Sequence, residues 1–232
     1  MFFIIFFSVF LVIFGAVNYY IGLRGYQCLP DIHWLKTAYL VVFITLACSY
    51  LFSRFIEKIS ITSFSNTLFW IGSFWFGFLL YFFLFAVLFD FIRVIHHFTG
   101  FLPGFITQNY LLAKQIAMLI AITVTVILQI TGFIHANTVQ IKDFTFHFEN
   151  KHASLKEINL VFVSDIHLGT IIKNAHLEKL TSTVNSLNPD IIVLGGDVFD
   201  EDLFPVIQNN LGDILKELKA KYGVYAVPGN HE

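Results

Sequence analysis

Apolar residues run almost unbroken through four stretches in the first part of the chain, then give way to short apolar runs separated by polar ones. The stretches lie near 2–21, 34–52, 67–89 and 110–134. A helix needs roughly 20 residues to cross a hydrocarbon core of ~30 Å, and each stretch is close to that length. Their only formal charges are Lys36 and Lys114, each near enough to a segment end to snorkel. Tyr19, Tyr20, Trp34, Trp70 and Tyr110 fall near segment ends, as amphipathic rings at a membrane interface should. The first stretch has no basic flank before it and no small-residue cleavage site after it, so it reads as a retained helix rather than a signal peptide. The pattern predicts an all-α transmembrane bundle of about four helices over 1–136, hence an integral, multi-pass membrane protein. Arg24 and Lys36 flank the first loop, Arg54 and Lys58 the second, Arg93 and Lys114 the third. The loops nearly tie, so this pattern assigns no side of the membrane to the chain ends.

From 137 onward the pattern changes period. Val139, Ile141, Phe144, Phe146 and Phe148 alternate in a broken period of two, consistent with a strand or hairpin. A β-branched run at 158–163 predicts a strand ending at Ser164-Asp165. Asn174 can cap a helix reaching about Leu187, with Leu177, Leu180, Val184 and Leu187 at helical spacing. A second strand is expected over 191–194, an amphipathic helix over 211–218, and a third strand over 224–227, closed by Pro228-Gly229. Strand, helix, strand, helix, strand is the pattern of a sheet covered by helices, so this half reads as a water-soluble α/β domain.

Composition supports two environments on one polypeptide. Of 232 residues, 56% are hydrophobic, 29 are Phe and only 13% are charged, whereas a soluble domain is about a quarter charged. Before His135 the only acids are Asp31, Glu57 and Asp90. A formal net charge of −2 with no basic stripe argues against a nucleic-acid partner. Cys28 and Cys48 form no C-x-x-C and one lies inside an apolar segment, which argues against a disulfide framework or thiolate metal site.

Candidate chemistry gathers behind the three expected strands, where open α/β sheets bind ligands. After the first comes Ser164-Asp165-Ile166-His167; if the backbone stays extended, Asp165 and His167 point to one face and can share an ion. After the second comes Gly195-Gly196-Asp197-Val198-Phe199-Asp200, where the glycines permit a sharp turn. After the third comes Gly229-Asn230-His231-Glu232, whose histidine and glutamate a plain turn does not require. Singly these motifs are weak. Together, in this order and about thirty residues apart, they describe one site.

On these residues the chain resembles the calcineurin-like metallophosphoesterases, whose pattern is D-x-H, G-D-x-x-[DN] and G-N-H-[DE], then a further His and a G-H-x-H. The resemblance covers 159–232, and the runs SDIHLG, NPDIIVLGGDVFD and YGVYAVPGNHE are similar to the bacterial branch in which a membrane anchor precedes the phosphoesterase. It implies that 137–232 is the N-terminal part of such a domain, a two-sheet sandwich flanked by helices. It further implies that Asp165 and His167 hold one metal, that Asp197 bridges two, that Asn230 binds the second and that His231 assists the leaving group. Asp200 and Glu232 are then supporting carboxylates. Oxygen donors mixed with imidazole suit Mn²⁺, Fe or Zn²⁺, and two such ions activate a hydroxide for in-line attack on phosphorus. The activity implied is hydrolysis of a phosphodiester or pyrophosphate at the membrane, in a bacterial plasma membrane, on an amphiphilic or lipid-linked substrate.

The sequence stops at Glu232, before the family's later histidines, which predicts weak metal binding and little hydrolysis by these 232 residues alone. A rival of another class is a membrane transport or scaffold protein with a degenerate phosphoesterase tail. The near absence of polar residues in the four segments favours anchoring over transport. The remaining polar residues read blandly: His96 and His97 as a solvated interfacial loop, Asp90 as a headgroup-level charge. His135, His147, His152 and His176 lack partners at metal spacing, and Gly72 and Gly77 form no G-x-x-x-G.

Overall fold

The computed structural model describes residues 2–57, 59, 62–148, 157–169, 174–200, 206–207 and 210–231. It divides into two compact units, Met1–His135 and Ala136–Glu232.

The first unit is helical. Its long elements are α1 (Phe2–Tyr26), α2 (His33–Glu57), α3 (Ser63–Thr99) and α5 (Tyr110–Ala136), with the short α4 (Gly104–Gln108) between the last two. Four of these helices are long and apolar enough to cross a membrane, matching the four expected stretches. One boundary differs. The third stretch was expected to end near 89, with His96 and His97 in a loop, but α3 continues ten residues further and carries both histidines in its last turn. Nothing before Gly100 breaks the helix. There a left-handed residue at φ 65 caps it, its N–H donating to the His96 carbonyl, and Pro103 follows. At the other end Thr62 and Ser65 form a reciprocal capping box.

Lipid offers no hydrophobic drive between helices, so small residues that let backbones approach must hold the bundle. Ser49 and Ser53, one turn apart on α2, are buried, as are Ser65, Phe69 and Gly72 on α3. Each serine hydroxyl donates to a carbonyl of its own helix or its cap, so none of these three hydroxyls is stranded. Gly72 is the point of closest approach: a Cβ there would lie 2.5 Å from the Tyr50 Cα. Deeper in the bundle the Trp75 indole donates to Asn18 at 3.0 Å. Asp90 accepts from the Tyr20 hydroxyl at 2.6 Å and pairs with Arg24 and Arg93. Both cysteines are free thiols.

The second unit is α/β. A three-stranded parallel sheet in the order β1-β2-β3 is built from β1 (Leu160–Val163), β2 (Ile191–Leu194) and β3 (Val224–Ala226). Leu160 pairs with Ile191, and Ile192 with Val224. Parallel strands need long crossovers. These contain α6 (Asn174–Ser186) and the single-turn α7 (Leu211–Leu215). α7 is shorter than the expected 211–218, although Leu218 still packs against the core. The core lies on one face of the sheet, where Leu168, Leu177, Ile192 and Leu211 are fully buried with Val184, Leu194, Val198 and Val206 around them. Two side chains fasten the crossovers. Asn159 donates to the Leu187 carbonyl while its own amide donates to Asp190, and Asn185 bonds both the Glu217 carbonyl and the Lys219 amide.

Among the described residues no ladder pairs 137–148, where a strand or hairpin is expected, and Phe144, Phe146 and Phe148 are all at least 75% exposed. Alternation alone does not make a strand, because the backbone groups need a partner edge. The described residues hold one sheet.

Substituting Gly72→Ala is expected to wedge α2 from α3 and cost about 1–3 kcal/mol, read as a lower thermal midpoint in detergent. Gly15→Ala and Gly132→Ala, where a Cβ meets nothing within 4 Å, are expected to leave the midpoint unchanged or raise it.

Candidate metal centre

The polar residues collect beyond the carboxyl ends of the strands, and hydrogen bonds between two turns decide where each side chain goes. Past β1 and β2 the backbones continue side by side. The amides of Asp165, His167 and Leu168 donate to the carbonyls of Gly196, Asp197 and Val198 at 3.1, 3.0 and 2.9 Å. The Asp200 amide returns the bond to Leu168 at 2.9 Å, and Leu168 and Phe199 form a parallel bridge. The two motifs are therefore one laced structure.

The lacing overturns one premise of the sequence reading. Asp165 and His167 are not extended. Both take the left-handed conformation, at φ 56 and φ 49, as does Asp197 at φ 51 directly after Gly196 at φ 93. Strand alternation therefore does not explain why the Asp165 and His167 donors lie together. Asp and His tolerate this region better than bulkier residues. Even so, each such residue stores about 1–3 kcal/mol, a cost usually met at functional sites.

The third turn closes on the second. Gly229 lies against Gly196, and a Cβ on it would meet the Asp197 carboxylate and lie 2.5 Å from the Asp197 amide nitrogen. With no side chain in the way, the His231 amide donates to Asp197 Oδ1 at 3.1 Å. Gly169 packs the same way, its missing Cβ facing Asp200 at 3.1 Å.

Two overlapping clusters of donors result. Asp165, His167 and Asp197 each bring one donor atom within 4.8 Å of the others, and so do His167, Asp200 and His231. The His167 and His231 rings meet edge to face, with centroids 4.9 Å apart. Nδ1 of His231 lies 3.7 Å from an Asp200 carboxylate oxygen, is buried, and makes no hydrogen bond. Asn230 sits in the turn between Gly229 and His231 with its side chain exposed. Glu232 lies outside the described residues. Carboxylates beside imidazoles at this separation, with a buried imidazole nitrogen that makes no hydrogen bond, suit a divalent cation of the Mn²⁺, Fe or Zn²⁺ kind. The residues present fit the group that the motifs imply.

The sequence reading set one residue aside. His176, in the first turn of α6, lines a cleft of about 340 Å³ with Ser164, Asp165 and His167. Burial, assisted by the Lys179 charge, lowers its proton affinity below the ordinary histidine value. The available signal was topological, not a spacing: in a parallel βα unit the first turn of the helix faces the strand's carboxyl end.

Comparison with known proteins agrees with the motifs. Residues 158–232 match the calcineurin-like phosphoesterase family model. A zebrafish (Danio rerio) protein described as a transmembrane protein with metallophosphoesterase domain is 32% identical over 114 residues, 49% of this chain and 26% of that protein. An uncharacterized metallophosphoesterase of Helicobacter pylori is 32% identical over 77 residues, 33% of this chain and 20% of its own length. A UDP-2,3-diacylglucosamine pyrophosphatase, LpxG, of Chlamydia muridarum is 31% identical over 96 residues, 41% of this chain and 29% of that protein. The aligned region thus spans between a fifth and three tenths of each of these relatives. No solved structure matches the chain.

Gly229→Ala is expected to displace Asp197 and weaken Mn²⁺ binding by about 10–100-fold with helix content unchanged, measured by titration calorimetry and circular dichroism. His176 yields a pH prediction. Its proton affinity falls on folding, so below the unfolded value of 6.5 the unfolded state holds more protons and stability drops with pH. Chelator-treated His176→Gln protein is expected to lose less thermal stability between pH 7.5 and 5.5 than chelator-treated wild type.

Proposed function

We propose that the calcineurin-like metallophosphoesterase domain carried by this multi-pass membrane chain hydrolyses a phosphodiester or pyrophosphate, on an amphiphilic or lipid-linked substrate. The observation that carries the reading is the joining of Asp165, His167 and Asp197 donors within 4.8 Å behind parallel strands. Four candidate membrane spans on the same polypeptide favour a substrate that partitions to the bilayer. The similarity to a protein named as a diacylated sugar-nucleotide pyrophosphatase points the same way.

In this reading Asp165, His167, Asp197 and Asn230 would hold the divalent metal, Asn230 through a neutral amide oxygen. When bound, such a metal would supply Lewis acidity to a water and to the phosphoryl oxygens. The chain's own residues do the rest. The His231 amide bond to Asp197 holds that carboxylate in one rotamer. Asp200, 3.7 Å from His231 Nδ1, accepts a hydrogen bond from Nδ1–H once the pair closes by about half an ångström. With Nδ1–H so held, the imidazolium form of His231 keeps a second proton, on Nε2, to give to the departing oxygen. Asp200 is a positioning residue on this account.

The transport or scaffold alternative lacks a comparable observation. The cations that line the hollow between the helices, Arg24, Arg93 and Lys114, are gathered at one end of it.

Mn²⁺ titration of this chain tests the metal assignment directly. Asp197→Ala is expected to weaken that binding by about tenfold or more, and unchanged binding would remove the assignment. Turnover is best read on bis-(p-nitrophenyl) phosphate and a lipid-linked pyrophosphate panel, in a polypeptide extended through the family's later histidine motifs. There Asp200→Asn is expected to lower kcat by about 10–100-fold with little change in KM, because it disturbs only the orientation of His231.

A further inference from the structure

The membrane bundle contains a cavity that the phosphoesterase reading does not use. It measures about 540 Å³ and takes its lining from all four long helices. That volume falls within the range of small-molecule pockets. Its deep end is apolar and aromatic, formed by Phe43 and Leu46 of α2, Trp75 of α3 and Ala121 of α5. Its other end holds Arg24, Arg93 and Lys114 with one carboxylate, Asp90. Up-and-down topology brings these four together, because the end of α1, the late part of α3 and the start of α5 share one end of the bundle.

The charge balance at that end is unequal. Asp90 answers Arg24 and Arg93 together, while Lys114 meets a carbonyl, donating to Gln27 O at 2.9 Å, and no carboxylate among the described residues. Three cations against one anion leave an excess positive charge beside an apolar hollow. From Trp75 to Asp90 is fifteen residues of α3, about 22 Å at 1.5 Å per residue. One leaflet's share of a ~30 Å hydrocarbon core is about 15 Å. The depth suits an acyl chain and the mouth suits an anion joined to it.

We infer that this cavity binds an anionic phospholipid, its acyl chain lying along Phe43, Trp75 and Ala121 and its phosphate held by Arg93 and Lys114. The site is separate from the metal centre, and nothing in it rests on the hydrolase reading. Arg24 and Tyr20 fix Asp90, which in turn steers Arg93. Lys114 reaches the phosphate with the ammonium protons not given to Gln27.

Trp75 is a built-in reporter, since its ring is fixed by the bond to Asn18 and lines the hollow. The test uses the whole chain with Trp34→Phe and Trp70→Phe, reconstituted in unbrominated phosphatidylcholine vesicles doped with a minor fraction of brominated lipid. Brominated phosphatidylglycerol is expected to quench Trp75 at least threefold more than the same fraction of brominated phosphatidylcholine. Arg93→Gln with Lys114→Gln should erase that difference. So should Ala117→Phe, which fills the lining without changing its charge and so guards against a failure of the charge variants to fold. Equal quenching by the two headgroups in the parent chain would overturn the proposal. A preference that survives both well-folded variants would place anion selection elsewhere and overturn it equally.

Discussion

The hydrogen bonds between the turn after β1 and the turn after β2 are the constraint on which the candidate site depends. They force Asp165, His167 and Asp197 into the left-handed region, and with it into one small volume. Three carboxylates and two imidazoles would not gather there unaided: the backbone is strained and like charges repel. The opposing stabilisation is the one-sided core beneath, where Leu168 and Val198, members of the same two turns, are buried with Leu177 and Ile192. Alternate residues of each turn thus serve alternate purposes. Ile166, Leu168 and Val198 face the core and anchor the turns, while Asp165, His167 and Asp197 are left at the surface to meet one another.

Glycines complete the arrangement by omission. Gly196 supplies the positive φ that starts the second turn, and Gly229 allows the third turn to lie on Asp197. These positions make chemical sense of motifs that look interchangeable as strings. A Gly before Asp197 makes the turn, and a Gly before Asn230 makes room. Replacing either affects the carboxylate between them, although neither glycine offers a donor.

The sequence showed the strand ends and the residue types, because β-branched runs stop where polar turns begin and both facts are local. It did not show how Asp165 and His167 converge. The alternation rule assumes an extended backbone, and the left-handed path is set by hydrogen bonds to a turn some thirty residues away. His176 was passed over for the same reason: its neighbours in the cleft come from another element. The late end of α3 was missed on different grounds. Hydropathy falls at Asp90, but a helix ends where backbone bonding ends, at Gly100. Residues 139–148 carry the right alternation, but no ladder pairs them among the described residues.

Lipid and water place opposite demands on the two units, and each meets its demand with the residues the other avoids. In the sheet domain, large aliphatics make the core and polar groups sit at strand ends. In the bundle, many large aromatics are turned outward, and serines and glycine sit where α2 meets α3. That inversion explains why Phe is abundant yet seldom buried: lipid already solvates it, so burial gains little beyond packing. It also explains why Asp90 is bonded by three side chains from two helices. A lone carboxylate among so many apolar residues is stable only when its charge is answered locally. Once it is answered by arginines on either side, the addition of Lys114 tips the balance of that end toward positive.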